Sequence, residues 1–386
     1  MRKYTFFINF TLQNSKKTYP ITQTISMNYP VSSPSAGNRS YALILRLSLF
    51  LILFSAIAFG GYKVVLHSTA SAANEIKSDQ EIQPAEEKKK AAPLISDSVE
   101  YENKMTHIVN GDTTGKWPVK TEYPLAGAIL PFKRIVSFYG NLYSKQMGIL
   151  GELPPDQMLA KLQQEITLWQ KADTTMEVIP ALHYIAVTAQ ESPGKGNKYR
   201  LRMPFHQVDS ILKMAARINA VVFLDIQVGL STLQEEIPQL ETYLKMSNVH
   251  LGIDPEFSMK GGQAPGKVIG SFDAADINYA SEYLAKLVKE NNLAPKVLII
   301  HRFTKGMVTN YKQIKTRPEV QIVMDMDGWG HPDLKYSSYQ LYIHKEPVQF
   351  TGFKLFYKND LRNKGRLMTP KELLALKPQP VYIQYQ

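Results

Sequence analysis

The chain has 386 residues, a formal charge of +11 and no cysteine, which excludes disulfides, thiolate nucleophiles, thiolate metal sites and a lipid-bearing cysteine together. Seven basic residues (Arg2, Lys3, Lys16, Lys17, Arg39, Arg46, Lys63) lie in residues 1–66, which hold no Asp or Glu, so only +4 belongs to the remainder. The basic character sits at one end, no arginine-rich run with interleaved aromatics appears later, and nucleic acid is not an expected partner.

Taken in chain order, residues 1–46 read as a basic cytoplasmic leader. Residues 47–66 are apolar and uncharged except for Lys63, and at ~1.5 Å rise per residue such a run reaches the ~30 Å of a bilayer core. The basic, acid-free flank predicts a cytoplasmic N-terminus and an external C-terminal part. The expectation is a single-pass transmembrane signal-anchor at the cell membrane; the alternative is a secreted protein cut after Ala70-Ser71-Ala72. Residues 67–93, with Glu86-Glu87-Lys88-Lys89-Lys90, read as a flexible linker. Residues 94–131, punctuated by Trp117-Pro118 and Tyr123-Pro124, read as an extended N-terminal extension packed under the floor of the C-terminal domain.

Residues 132–386 carry eight short β-branched, apolar runs: 134–138, 177–186, 220–227, 249–253, 296–301, 320–326, 350–357 and 381–385. Helical patterns alternate with them. Pro154-Pro155 opens one in which Met158, Leu159, Leu162, Ile166 and Trp169 recur at the 3.6-residue period, and another runs from Asp273 to Asn291-Asn292. Near-continuous apolar strands alternating with helices imply a parallel sheet covered by helices. Eight units in roughly 250 residues predict the α/β class and a (β/α)8 TIM-type barrel. A doubly wound open sheet is the alternative, but no Gly-x-Gly-x-x-Gly turn follows the first strand.

In a closed parallel barrel the strand C-termini share one face, so polar residues distant in sequence meet there. The fourth strand ends in Gly252-Ile253-Asp254-Pro255-Glu256-Phe257, whose two carboxylates point the same way if the chain stays extended. A same-face pair pushes one pKa above the other and yields an acid and a base at neutral pH. Asp225 and Gln227 end an apolar third strand, and burial there demands a partner such as His301, Arg302 or Lys354. Asp325 and Asp327 alternate at the end of the sixth strand, and Trp329 comes after them as a flat platform for a sugar ring. His183, His206, His250, His301, His331 and His344 show no metal-ligand spacing, so neither metal nor cofactor is expected unless distant positions converge. Gly261 to Lys267 approaches a phosphate-binding loop, but Val268 stands where Ser or Thr should hold magnesium.

Phe138-Tyr139-Gly140, Leu224-Asp225-Ile226-Gln227, Gly252-Ile253-Asp254-Pro255-Glu256-Phe257 and Asp327-Gly328 resemble a group of poorly characterised exported bacterial barrel proteins, described mainly as lipoproteins. The resemblance covers about two thirds of the chain and implies the barrel and the exported location, but no established activity. Asp254-x-Glu256 also looks like the end of the chitinase-type glycoside hydrolase motif, which implies Glu256 as the acid and Asp254 as its assistant; Val249 and Gly252 stand where that motif's earlier aspartates belong.

The resulting expectation is a membrane-anchored, glycoside-hydrolase-like barrel acting on envelope or extracellular glycan. Glu256, Asp254, Asp225 and Asp325 are its catalytic candidates, and Tyr139, Gln227, His301, Arg302, Asp327 and Trp329 would contact a carbohydrate or other small or polymeric ligand at the mouth. Pairing Glu256 with Asp225 suits a retaining gap, and pairing it with Asp325 a wider inverting one. The rival expectation is a non-catalytic glycan-binding or envelope scaffold barrel, its carboxylates tied up in salt bridges.

Overall fold

The computed structural model describes residues 2–14, 17–29 and 98–386. The chain divides into two units, Met1–Ala85 and Glu86–Gln386. In the first, Arg2–Asn14 and Lys17–Tyr29 pair as an antiparallel hairpin, which the reading of a basic leader did not foresee. The expected anchor at 47–66 and linker at 67–93 lie outside the described residues. Among the described residues no helix is long and apolar enough to cross a membrane.

The second unit is built on eight parallel strands: β1 (Lys133–Gly140), β2 (Glu177–Ala189), β3 (Val221–Ile226), β4 (Val249–Ile253), β5 (Lys296–Arg302), β6 (Val320–Met326), β7 (Phe350–Leu355) and β8 (Tyr382–Tyr385). Each pairs with the next, and Tyr382 to Tyr385 of β8 lie in register beside Ile135 to Phe138 of β1. The sheet is therefore closed, and the open alternative is excluded. Every strand proposed from sequence is present within a few residues of its expected limits.

Alternation along each strand divides the apolar residues into two sets. One faces outward and packs against the surrounding helices, with Val136, Phe138, Leu182, Leu224, Leu251 and Ile300 among its members. The α-helices of five residues or more are α1 (Ser98–Val109), α2 (Pro155–Ala172), α3 (Phe205–Ala216), α4 (Ala274–Asn291), α5 (Pro332–Ser338) and α6 (Pro370–Leu374), and single-turn helices lie at Ile149–Glu152, Leu233–Glu236 and Glu241–Leu244. α2 starts with Pro155 in its first turn and buries Met158, Leu159, Leu162, Ile166 and Trp169, the periodic residues of the sequence. α4 opens on a reciprocal capping box between Asp273 and Asp276 and ends where Asn292 turns left-handed at φ 50°. Alternation fails between β5 and β6, where no α-helix intervenes and two short 3-10 turns, Lys305–Met307 and Tyr311–Gln313, flank the two-residue strand Val308–Thr309.

The second apolar set lies inside the barrel and includes Ile135, Ala181, Phe223, Val297, Val323 and Phe350. α1 closes it from below: Tyr101, Met105 and Ile108 join the same cluster. The extension was expected to be extended, yet Ser98–Val109 is helical, because Tyr101, Met105, Ile108 and Val109 recur at helical spacing and find an apolar surface to cover. Gln321 at the base of β6 fastens the strap that leads from α1 to β1, its Oε1 accepting the backbone N–H groups of Ile129 and Leu130 at 3.0 Å each. With its floor plugged, the interior carries its polar residues at the opposite end.

Candidate active site

Upward along the inner face of β6 the chain reads Gln321 at the floor, Val323 in the apolar layer, then Asp325, with Asp327 just beyond the strand. β5 repeats the progression with Val297, Ile299 and His301, and β3 with Phe223 and Asp225. His301 is the hub where these strands meet. Its Nε2 lies 3.4 Å from Asp225 Oδ1, and its Nδ1 lies 3.1 Å from Asp327 Oδ2 and 3.5 Å from Asp325 Oδ2. His301, Asp225 and Asp325 are wholly buried.

Two further residues complete the centre: His183, which the sequence reading gave no site role, and Lys354, named there as a partner for Asp225 but paired instead with Asp327. His183 on β2 places Nε2 3.4 Å from the same Asp225 Oδ1, and Lys354 on β7 holds Asp327 Oδ1 at 2.9 Å with its ammonium 3.8 Å above the Tyr139 ring. A lysine inside the apolar run Phe350 to Leu355, at inward parity with Phe350, was the available signal for the second. For His183 the signal was a polar residue within an otherwise apolar strand, and spacing to other histidines hid it.

The mouth-side carboxylates are ordered by neutral groups. Tyr139 donates its hydroxyl to Asp225 Oδ2 at 3.0 Å, and the Gln227 amide reaches both that hydroxyl at 3.3 Å and Asp254 Oδ2 at 3.5 Å. β4 ends at Ile253, and Pro255–Phe257 turns into a 3-10 helix instead of continuing extended. Asp254 caps that turn, its Oδ1 accepting the Glu256 N–H at 3.0 Å. The two carboxylates are therefore associated through a cap, and strand parity was the wrong reason for their proximity. Asp254 is buried, whereas Glu256 keeps a partly exposed surface.

Burial and charge split these acids into two classes. Burial opposes ionisation of Asp225, yet His301 and His183 hold its carboxyl well below the ordinary range. Asp327 is likewise held low against burial by Lys354 and His301. Burial lifts Asp325. Burial pushes Asp254 up to about 7, with Asp225 and Asp327 adding to the rise, and pushes Glu256 up to about 8, with Asp254 the next contribution. Burial disfavours charge on His301 too, but Asp225 and Asp327 raise it well above the usual imidazole value, while burial takes His183 down to about 4. At neutral pH the centre thus holds ionised Asp225 and Asp327 beside cationic His301, with protonated Glu256 above them.

Two expected ligand contacts are corrected. Arg302 comes directly after His301 on β5 and so points to the opposite, outer side, where its guanidinium meets Glu346 and the Thr304 and Lys305 carbonyls at 3.3 and 3.2 Å. Trp329 lies past the end of β6, partly exposed, and its ring faces the Arg362 guanidinium at 5.6 Å instead of the acids of the mouth, because the chain leaves the strand at Asp327 and Gly328. The loop Ser192 to Asn197 tops a hairpin formed by the end of β2 with Arg200–Arg202. Buried Glu236 pins that hairpin, accepting from Arg200 Nε at 2.7 Å and Arg202 Nε at 2.6 Å.

A closed eight-stranded parallel barrel with its polar centre at the strand C-termini defines an α/β protein of the TIM type. No family model and no curated protein matches the chain. Among solved structures it is similar to a hyperthermophilic endo-β-1,4-glucanase solved with substrate, at TM-score 0.30 and 8% identity over 54% of this chain and 77% of that one. It is also similar to a ruminal GH26 endo-β-1,4-mannanase, at TM-score 0.31 and 10% identity over 66% of this chain, spanning 59% of the mannanase. A third is Burkholderia cenocepacia dihydropteroate synthase complexed with 7,8-dihydropteroate, at TM-score 0.32 and 9% identity over 66% of this chain and 86% of the synthase. The barrel assignment stands on the strand register itself.

Proposed function

We propose that the protein is a glycoside-hydrolase-like enzyme acting on envelope or extracellular glycan, with Glu256 as general acid and Asp254 as its assisting carboxylate. The observation that carries this reading is that Glu256 is partly exposed at the mouth, beside wholly buried acids, with its carboxyl pushed up to about 8. A group still protonated at neutral pH donates its proton to the departing glycosidic oxygen, and positive charge then grows on the sugar ring. Ionised Asp225 and Asp327 extend a negative field beneath that charge, and Asp254, oriented by its cap and by Gln227, adds to it once ionised, above about pH 7. Anchoring by residues 47–66 with the barrel outside the cell rests on the apolar run and its basic flank, with secretion after Ala72 as the alternative.

The test is release of reducing sugar from chitin and peptidoglycan fragments by the full chain. Glu256→Gln is expected to reduce turnover by at least ~100-fold, as loss of a general acid does, with the urea midpoint retained; unchanged turnover removes the proposal. A second reading, a glycan-binding barrel without turnover, is favoured by the ion pairing of Asp327 with Lys354 and of Asp225 with His301. Binding on a glycan array with no hydrolysis of the bound sugars selects it.

A further inference from the structure

At the bottom of the polar centre, beneath the acids assigned to catalysis, three atoms converge without hydrogen-bond partners: His183 Nε2, Asp225 Oδ1 and His301 Nε2. They lie within 4.8 Å of one another, and all three residues are wholly buried. Leaving three polar atoms unpaired in one fully buried spot is costly, since each gives up its hydration for no replacement. Something that accepts lone pairs from all three removes that cost.

We propose that His183 Nε2, Asp225 Oδ1 and His301 Nε2 bind a divalent transition-metal ion of the zinc class, leaving a fourth position open. Both imidazole nitrogens stand 3.4 Å from the carboxylate oxygen. With metal–ligand bonds of ~2.1 Å, neighbouring ligand atoms of a tetrahedral site lie ~3.4 Å apart, and those of an octahedral one ~3.0 Å. Both nitrogen–oxygen spacings are those of a tetrahedral edge, and the third edge, between the two imidazole nitrogens, lies within 4.8 Å. Neither ring nitrogen meets hydrogen-bond geometry with the oxygen despite this approach; an incoming ion displaces the proton from His301 Nε2, whose lone pair then joins those of His183 and Asp225.

The far-side atoms of Asp225 and His183 are hydrogen-bonded, in the pattern that orients metal ligands, while His301 Nδ1 approaches a carboxylate outside hydrogen-bond geometry. Tyr139 donates to Asp225 Oδ2 at 3.0 Å. His301 Nδ1 faces the Asp327 carboxylate at 3.1 Å, and His183 Nδ1 lies 2.6 Å from the Tyr382 hydroxyl. The Gln384 amide nitrogen is 3.0 Å from His183 Nδ1 while its oxygen has no partner; a half-turn of that amide lets the oxygen accept the Nδ1 proton and leaves the Nε2 lone pair free. Gly252 on β4 keeps the place open, since a Cβ there would stand 2.5 Å from both Asp225 Oδ1 and His183 Nε2. The three ligands come from β2, β3 and β5, which is why no local spacing announced them.

The full chain, stripped with chelator and dialysed against zinc(II), is expected to retain one zinc per chain by elemental analysis. Cobalt(II) in its place is expected to give the intense visible absorption of four-coordinate cobalt, a readout that needs no variant. Asp225→Asn and His301→Gln should each lose the stoichiometric metal and the absorption, and exposed His206→Ala should keep both. Absence of stoichiometric metal in the folded wild type, weak six-coordinate cobalt absorption, or metal that survives Asp225→Asn and His301→Gln but not His206→Ala overturns the proposal. Glu256→Gln should bind metal normally, so failure here and failure of the glycosidase reading are separate results.

Discussion

Asp254 and Glu256 retain their protons in the folded protein at pH values where the same groups ionise in the unfolded chain. Between roughly pH 4 and 8 these two groups make the folded state the more protonated one, so their contribution to stability falls as pH rises through that window. Urea midpoints at pH 5 and pH 8 should show a smaller decline for Glu256→Gln and Asp254→Asn than for wild type; an equal or steeper decline contradicts the raised values. Asp225 and Asp327, held low, have the opposite dependence, with stability present above their unfolded values and lost on acidification. If Glu256 is the acid, turnover should fall away as pH rises past about 8. The acids themselves were legible as residues at strand ends. Their division into raised and lowered groups was not, because it depends on His301, His183 and Lys354 arriving from three other strands.

Among the elements, α5 shows how a short helix secures the mouth. Lys335 is buried and reaches the Gly328 carbonyl at 2.7 Å, the Lys354 carbonyl at 2.8 Å and Asp360 Oδ2 at 3.0 Å. Asp360 in turn accepts the Gly330 and Phe356 N–H groups at 2.9 Å each, so one ion pair ties the segments leaving β6 and β7. Lys335→Met should cost about 3–5 kcal/mol in urea unfolding by leaving Asp360 charged and unpaired. Adding Asp360→Asn should recover part of that loss, and full additivity of the two changes would refute the pairing. Strands and long helices were legible in this chain because their periods are written locally: Met158, Leu162, Ile166 and Trp169 announce α2 without reference to any other element. α1 was missed for the converse reason, since its stripe of Tyr101, Met105 and Ile108 gains meaning only from the floor it covers.

For the molecule as a whole, closure does two jobs: it removes the sheet edges and divides the interior into an apolar lower part and a charged upper part. The lower part depends on α1. Met105→Ala should destabilise the protein by roughly 2–5 kcal/mol, the range for emptying a buried methionine site, measured by urea unfolding; a change below ~0.5 kcal/mol would mean that the helix does not plug the barrel. The eightfold count and the parallel direction could be read from the alternation of strand and helix, and β5 to β6 shows the limit of that reading, as two 3-10 turns there do the work of a helix. Because α1 seals the end from which the strands start, a molecule that reaches the buried acids has a single way in, past the C-terminal ends of the strands.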